Sequence, residues 1–349
     1  MINQALKVSF LVLALVRLSA QSDLSVWGAF QTNANLFLRD SAIGAYNIPQ
    51  YDKQIFGSET WINLNLSVSG FNAGIRYDFF NNSNLLNPTG SYSAHGLGRW
   101  YVNKEIDKLE LNAGYLYDQI GSGIIYRAFE ERAQLLDNAL LGFSAKYNLT
   151  SDWNIKAFAG KQKNLFTTYN SFIKGINLNG FYKPSDSSHW AISPGIGFIN
   201  KTLGDDYVQE LSAISGSYLP VDQFAPSYNS NAISLYNTLT AGPFSWYVET
   251  AFKFDDIYYD AQSVRQLPKG QSTIGKFVKG LGHVYYTSLG YAANKLRITL
   301  EGKRTDGFDF RAAPQVTLNR GLITYIPPMA RVNTYRLTSY YYPATQFLN

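Results

Sequence analysis

Cysteine is absent from the 349 residues, which excludes disulfides, thiolate metal sites and a cysteine nucleophile. Charge is scarce: Asp, Glu, Lys and Arg make up 16% of the chain, where an ordinary soluble domain carries about 25%. No segment beyond residue 20 approaches the roughly 20 apolar residues of a membrane-spanning helix. With a mean hydropathy of −0.17, a polytopic helical membrane protein is excluded.

Blocks of like charge are also missing. The net charge of +5 and pI of about 9.0 therefore point to anionic partners such as lipopolysaccharide or small solutes, and not to nucleic acid. Histidine occurs three times, as His95, His189 and His283. None sits in a motif joining it to a serine and a third, orienting group, which a hydrolytic site requires. Asp205-Asp206 and Asp255-Asp256 offer two carboxylates each, short of the six or so oxygens calcium takes. They read as solvated loop charge. No enzymatic activity and no cofactor are expected.

What the chain does have is aromatic residues, 15% of the total with Tyr 26 and Phe 22, arranged in period-two alternation. Ile62, Leu64, Leu66 and Val68 oppose Asn63, Asn65, Ser67 and Ser69; Phe71, Ala73, Ile75, Tyr77 and Phe79 oppose Asn72, Arg76 and Asp78. The same pattern predicts strands near 24–38, 94–103, 108–117, 140–149, 153–161, 173–182 and 189–199. It resumes near 231–241, 244–254, 284–292, 296–304 and 334–342. That gives about 14 strands of the length a tilted strand needs to cross a bilayer. The links alternate in length: short at 70, 104–107, 150–152, 184–188, 242–243 and 294–295, long at 39–59, 81–92, 118–138, 162–172, 200–229, 255–283 and 305–333.

An all-β, antiparallel up-and-down transmembrane β-barrel follows, with short periplasmic turns and long extracellular loops. Trp27, Trp61, Trp100, Trp153 and Trp190 lie near strand ends, as interfacial girdles do. Residues 1–20 read as a cleaved signal peptide for export to the outer membrane of a Gram-negative cell. Lys7 precedes the apolar run Val8 to Val16, and Leu18-Ser19-Ala20 supplies small residues before Gln21. Residues 21–349 form the barrel domain. Pro343 and the ending Gln346-Phe347-Leu348-Asn349 read as a turn into a further strand, so the sequence is expected to continue past Asn349.

Inward positions carry Arg76, Arg99, Lys146, Lys156, Lys253, Arg297 and Lys303, with fewer acids at Asp78, Glu110, Glu249 and Glu301. Two readings fit this candidate lumen wall: an anion-leaning aqueous pore, or charges that pair across strands and fill a closed barrel. Link 118–138 stands apart, because Gly121 and Gly123 precede a run of helix formers with both charge signs. Arg127, Glu130, Glu131, Arg132 and Asp137 are its candidate constriction residues, on a partly helical loop folded into the mouth or lying on the surface.

Within this link, Gly-Ser-Gly at 121–123, Arg-Ala-Phe-Glu-Glu-Arg at 127–132 and Leu-Asp-Asn at 136–138 resemble a motif of a large uncharacterised family of porin-like outer-membrane barrels typical of Bacteroidota. That resemblance implies a fold and a location. The leading expectation is porin-like passage of small solutes, with outer-membrane lipid and lipopolysaccharide around the barrel. The alternative is a non-conducting barrel whose long loops bind polysaccharide or a protein partner.

Overall fold

A computed structural model describes residues 24–86, 90–316 and 320–327. Thirteen strands follow one another as hydrogen-bonded neighbours in an antiparallel meander. They are β1 (Ser25–Leu36), β2 (Phe56–Val68), β3 (Phe71–Ser83), β4 (Tyr92–Ile106), β5 (Leu109–Leu116), β6 (Leu140–Asn148) and β7 (Trp153–Asn164). After them come β8 (Thr167–Gly180), β9 (Trp190–Leu203), β10 (Asn229–Ala241), β11 (Phe244–Gln266), β12 (Ser272–Ala293) and β13 (Leu296–Asp306). The all-β, up-and-down order is the one the alternation predicts. Among the described residues β1 and β13 each have one neighbour, so the sheet is not closed there. The signal peptide expected at 1–20 and the strand expected at 334–342 lie outside the described residues.

The chain divides into two compact units, 1–114 and 115–349. In the first, register is continuous from Ser25↔Ser67 to Leu36↔Phe56. The β2–β3 turn is Ser69-Gly70, both with positive φ, as the right-handed twist of a tight hairpin requires. One face exposes Ile62, Leu64, Ile75 and Phe79; the other buries Trp61, Phe80, Arg76 and Asp78. Arg76 donates from Nε to Asp78 Oδ1 at 2.7 Å and from Nη2 to Oδ2 at 3.0 Å. This two-pronged pair satisfies charges that would be costly to bury alone.

A bulge makes room for that pair. Arg76 faces Arg99 and Tyr77 faces Leu97, which leaves Gly98 as the extra residue of β4. A β-carbon at Gly98 would land inside the Asp78 carboxylate. Gly98→Ala is therefore expected to lower stability by about 1–3 kcal/mol, the usual cost of overpacking. Its urea midpoint checks this, and an unchanged midpoint would mean that the pair moves freely.

In the second unit, three links differ from expectation. The long link at 162–172 is in fact the two-residue turn 165–166, and that at 255–283 shrinks to 267–271 because β11 and β12 continue as one long hairpin. Register shifts at Thr168/Phe172, Lys253/Asp256 and Asp260/Val264 reset the alternation, which is why period-two reading ends strands there. The link at 204–228 holds a helix, α1 (Asp205–Gly216), which sequence reading does not anticipate. Asp205 and Asp206 occupy its first turn, where carboxylates suit the positive end of the helix. Val208 and Leu211 pack on Leu203 and Ile257.

The end of this link is tied to the long hairpin. Asp222 accepts from Lys276 Nζ and from the Gln266 backbone N–H, both at 2.6 Å. The lysine first, and then the amide, hold its carboxyl below the usual carboxylate range. A depressed carboxylate stabilises fully above its unfolded pKa, and that contribution is lost as pH falls through the folded value. Limited proteolysis of 204–228 is expected to accelerate in acid for the wild type. In Asp222→Asn the rate should already be high at neutral pH and change little; a wild-type rate flat with pH would refute this.

Candidate functional site

The inner face of the second unit is filled by two segments of its own chain. The first, 117–139, is a tight hairpin. Ala128 N–H donates to Asp118 O at 2.7 Å, and Ile120 N–H to Tyr126 O at 3.1 Å. Its tip is Gly121-Ser122-Gly123, with φ of 56° at Gly121 and 100° at Gly123, values that favour glycine. Ile120, Ile124 and Ile125 have no solvent exposure. They belong to one apolar cluster with Leu140, Phe158, Ile173 and Ile199 of the strands, and Tyr126 stacks on Phe158 at 4.4 Å.

The second segment follows β13. Phe308, Phe310 and Ala312 alternate inward and are buried in the same cluster. Ile323 N–H donates to Phe310 O at 3.0 Å, folding the segment back on itself. The two segments are joined by Arg127 N–H to Ile323 O and Tyr325 N–H to Gly123 O, both at 2.9 Å. Together they form a plug.

Two polar sites fasten the plug to the strands. At the hairpin tip, Glu249 of β11 accepts from Ser122 N–H at 2.9 Å, Ser122 Oγ at 2.5 Å and the Tyr247 hydroxyl at 2.5 Å. This is the latch. Under the second segment, Asp256 accepts from Lys201 Nζ at 2.6 Å and from Lys253 Nζ at 2.9 Å. All three side chains are at most 1% exposed. The Lys253/Asp256 bulge turns Asp256 onto the face of Lys253. The lysines also donate to the backbone carbonyls of Arg311 at 2.9 Å and Asp309 at 2.8 Å, so they clamp this segment.

The family is settled by the sequence as a whole, over residues 1–347. The chain belongs to DUF6029, a family of unknown function. No curated protein matches it. Among solved structures, the DUF6029 chain is similar to OccK8 (OprE) of Pseudomonas aeruginosa at 10% identity and a TM-score of 0.37, over 82% of this chain and 84% of that one. It is similar to OmpT, an outer membrane protein of Vibrio cholerae, at 11% identity and a TM-score of 0.33, over 82% and 88%. For OprB of Pseudomonas putida the values are 10% and 0.37, over 79% and 76%. Such values assign no residue of DUF6029 a role.

The structure distributes the expected site residues unevenly. The helix expected in 118–138 is only a single 3-10 turn at Arg132–Gln134, because isoleucine burial and the glycine tip organise the segment as a hairpin. Arg127 lies over the rings of Tyr325 at 4.0 Å and Phe129 at 4.9 Å. Glu130 pairs with Arg132 at 3.4 Å, while Glu131 is exposed. Asp137 accepts from Lys163 Nζ at 2.6 Å.

Of the inward cations, Lys156 binds Asp118 at 2.5 Å and Lys253 is sealed in the clamp. Lys303 Nζ points to Pro327 O at 3.5 Å. Arg76 holds Asp78, and Arg99 lies over Tyr101 at 4.9 Å. Lys146 is half-buried and Arg297 exposed. Sequence reading took Asp256 for solvated loop charge, whereas the continuation of β11 past the bulge buries it between two lysines. It missed Lys201 and the second plug segment. The short alternation Phe308, Phe310, Ala312 was the available signal, hidden inside a predicted loop.

Proposed function

We propose that the DUF6029 chain is an outer-membrane β-barrel giving porin-like passage to small solutes, with the plug as its internal restriction. The observation that carries this is the inverted character of the strand faces. Outward positions expose Phe198 (41%), Leu235 (51%) and Leu300 (63%), whereas inward positions of the same sheet bury Lys201, Glu249 and Lys253. Water would penalise such an outer face, and lipid accepts it. Lipid also penalises open strand edges, so β1 and β13 need partners there.

Because most of the inward cations bind plug or strand groups, solute passage depends on the plug shifting and not on a ring of free charge. A second reading, a non-conducting surface-binding barrel, is favoured by the fully dry isoleucines of the hairpin. Single-channel recording in planar bilayers separates the two. Openings that become frequent when the latch is cut support passage; silence from wild type and latch variants alike supports the binding barrel.

A further inference from the structure

The outer face of β7–β10 changes character over one step of the strands. Ile176, Phe198 and Ile233 form one register row, exposed or half-buried and wholly apolar. Two residues nearer the long links, about 6.8 Å along the strands, the next outward row reads Lys174, Asn200 and Asn231. The row beyond it holds Lys161, Phe172, Thr202 and Asn229, so the exposed Phe172 ring is its one apolar member.

These polar side chains are joined sideways. Lys174 Nζ donates to Asn200 Oδ1 at 3.1 Å and Thr202 Oγ1 at 3.0 Å. Asn200 Nδ2 donates to Asn231 Oδ1 at 2.8 Å, and Thr202 Oγ1 to Asn229 Oδ1 at 2.7 Å. Lys161 Nζ donates to Asn170 Oδ1 at 3.0 Å, while Asn170 Nδ2 donates to Asp206 at 2.7 Å. Among the described residues neither lysine has a carboxylate partner. Asp206 accepts from the Asn170 amide, whose oxygen is thereby turned toward Lys161. The exposed Lys174 ammonium has three donors and spends two in hydrogen bonds; its other neighbour is the Phe172 ring at 5.8 Å, which takes no hydrogen bond from it, so one donor remains for a ligand.

We propose that this ladder is a headgroup shelf for a phosphorylated membrane lipid, whose acyl chains lie on the apolar row below. The inference rests on the membrane-barrel reading above. Two cations against one acid, at the boundary between apolar and amide-rich rows, suit a phosphate attached to hydrocarbon; a zwitterionic headgroup would bring an equal repulsive charge. Each lysine near a charged membrane surface contributes on the order of fivefold in affinity.

The test uses the full chain in mixed micelles of equimolar phosphatidic acid and phosphatidylcholine, with the bound lipids quantified by native mass spectrometry. Wild type is expected to retain phosphatidic acid preferentially. The double variant K161Q/K174Q should lose that preference by at least tenfold, and K146Q, on the inner face, should keep it. Equal retention by wild type and K161Q/K174Q, or an equal loss in K146Q, overturns the shelf. Protease protection in vesicles is read in parallel. A chain that inserts but shows no lipid preference sinks only the shelf, whereas a chain that fails to insert sinks the barrel reading itself.

Discussion

Replacing Asp256 with asparagine should destabilise the protein more than removing either of the lysines that face it. The substitution leaves two ammonium groups, at 1% and 0% exposure, facing a neutral amide. Removing one partner of a buried ionic network costs about 3–5 kcal/mol, mainly because the remaining charge is uncompensated. Lys253→Met should cost less, since it keeps the Lys201–Asp256 pair at 2.6 Å and forfeits the bond to Asp309 O. Urea unfolding in detergent, followed by tryptophan fluorescence, gives the order. The clamp interpretation fails if Asp256→Asn shifts stability by less than about 1 kcal/mol, the upper end for an exposed pair.

The second large effect is on channel opening. The latch consists of charge-assisted bonds from one serine to one carboxylate, each contributing about 1.5–3 kcal/mol. Glu249→Ala removes both Ser122 bonds and the Tyr247 bond together. Open probability should then rise by roughly 10²- to 10⁴-fold, following the loss of about 3–6 kcal/mol from the two Ser122 bonds. Ser122→Ala removes only the hydroxyl bond and should lie between wild type and Glu249→Ala. Unit conductance should be similar in all three, because the strands are unchanged. A rise in unit conductance without a rise in open probability would mean that Glu249 lines a permanent path and holds nothing shut.

Most strand positions were legible because period-two alternation depends only on which face a residue occupies. Ile62, Leu64 and Ile75 are outward, and Arg76 and Asp78 inward, as their spacing indicates. Reading failed where the backbone changed parity. Asp255 adopts a φ of 57° at a bulge, and beyond it β11 runs on to Gln266 on the opposite phase. The polar character of the site was visible in Glu249 and Lys253. Lys253 and its partner Asp256 are only three residues apart, yet the bulge that sets both on one face was not legible. The other partners are remote, because Ser122 lies 127 residues from Glu249, and Lys201 lies 55 from Asp256. Nothing local specifies such pairings. The run from Arg127 to Asp137 misled for a related reason: helix propensity is a small term, and burial of three isoleucines with a glycine tip outweighs it.

The joining of the two plug segments has a consequence for the order of assembly. Arg127 meets Ile323 and Gly123 meets Tyr325 across nearly 200 positions of chain, so the hairpin cannot find its partner until all strands between them have been delivered. Loop-closure cost grows with that separation, and sheet neighbours, separated by short turns, are formed at far lower cost. The joint between the two segments is therefore expected to close after the intervening strands have paired, so the Arg127 and Tyr325 amides should gain protection from hydrogen exchange later than the strand amides during refolding.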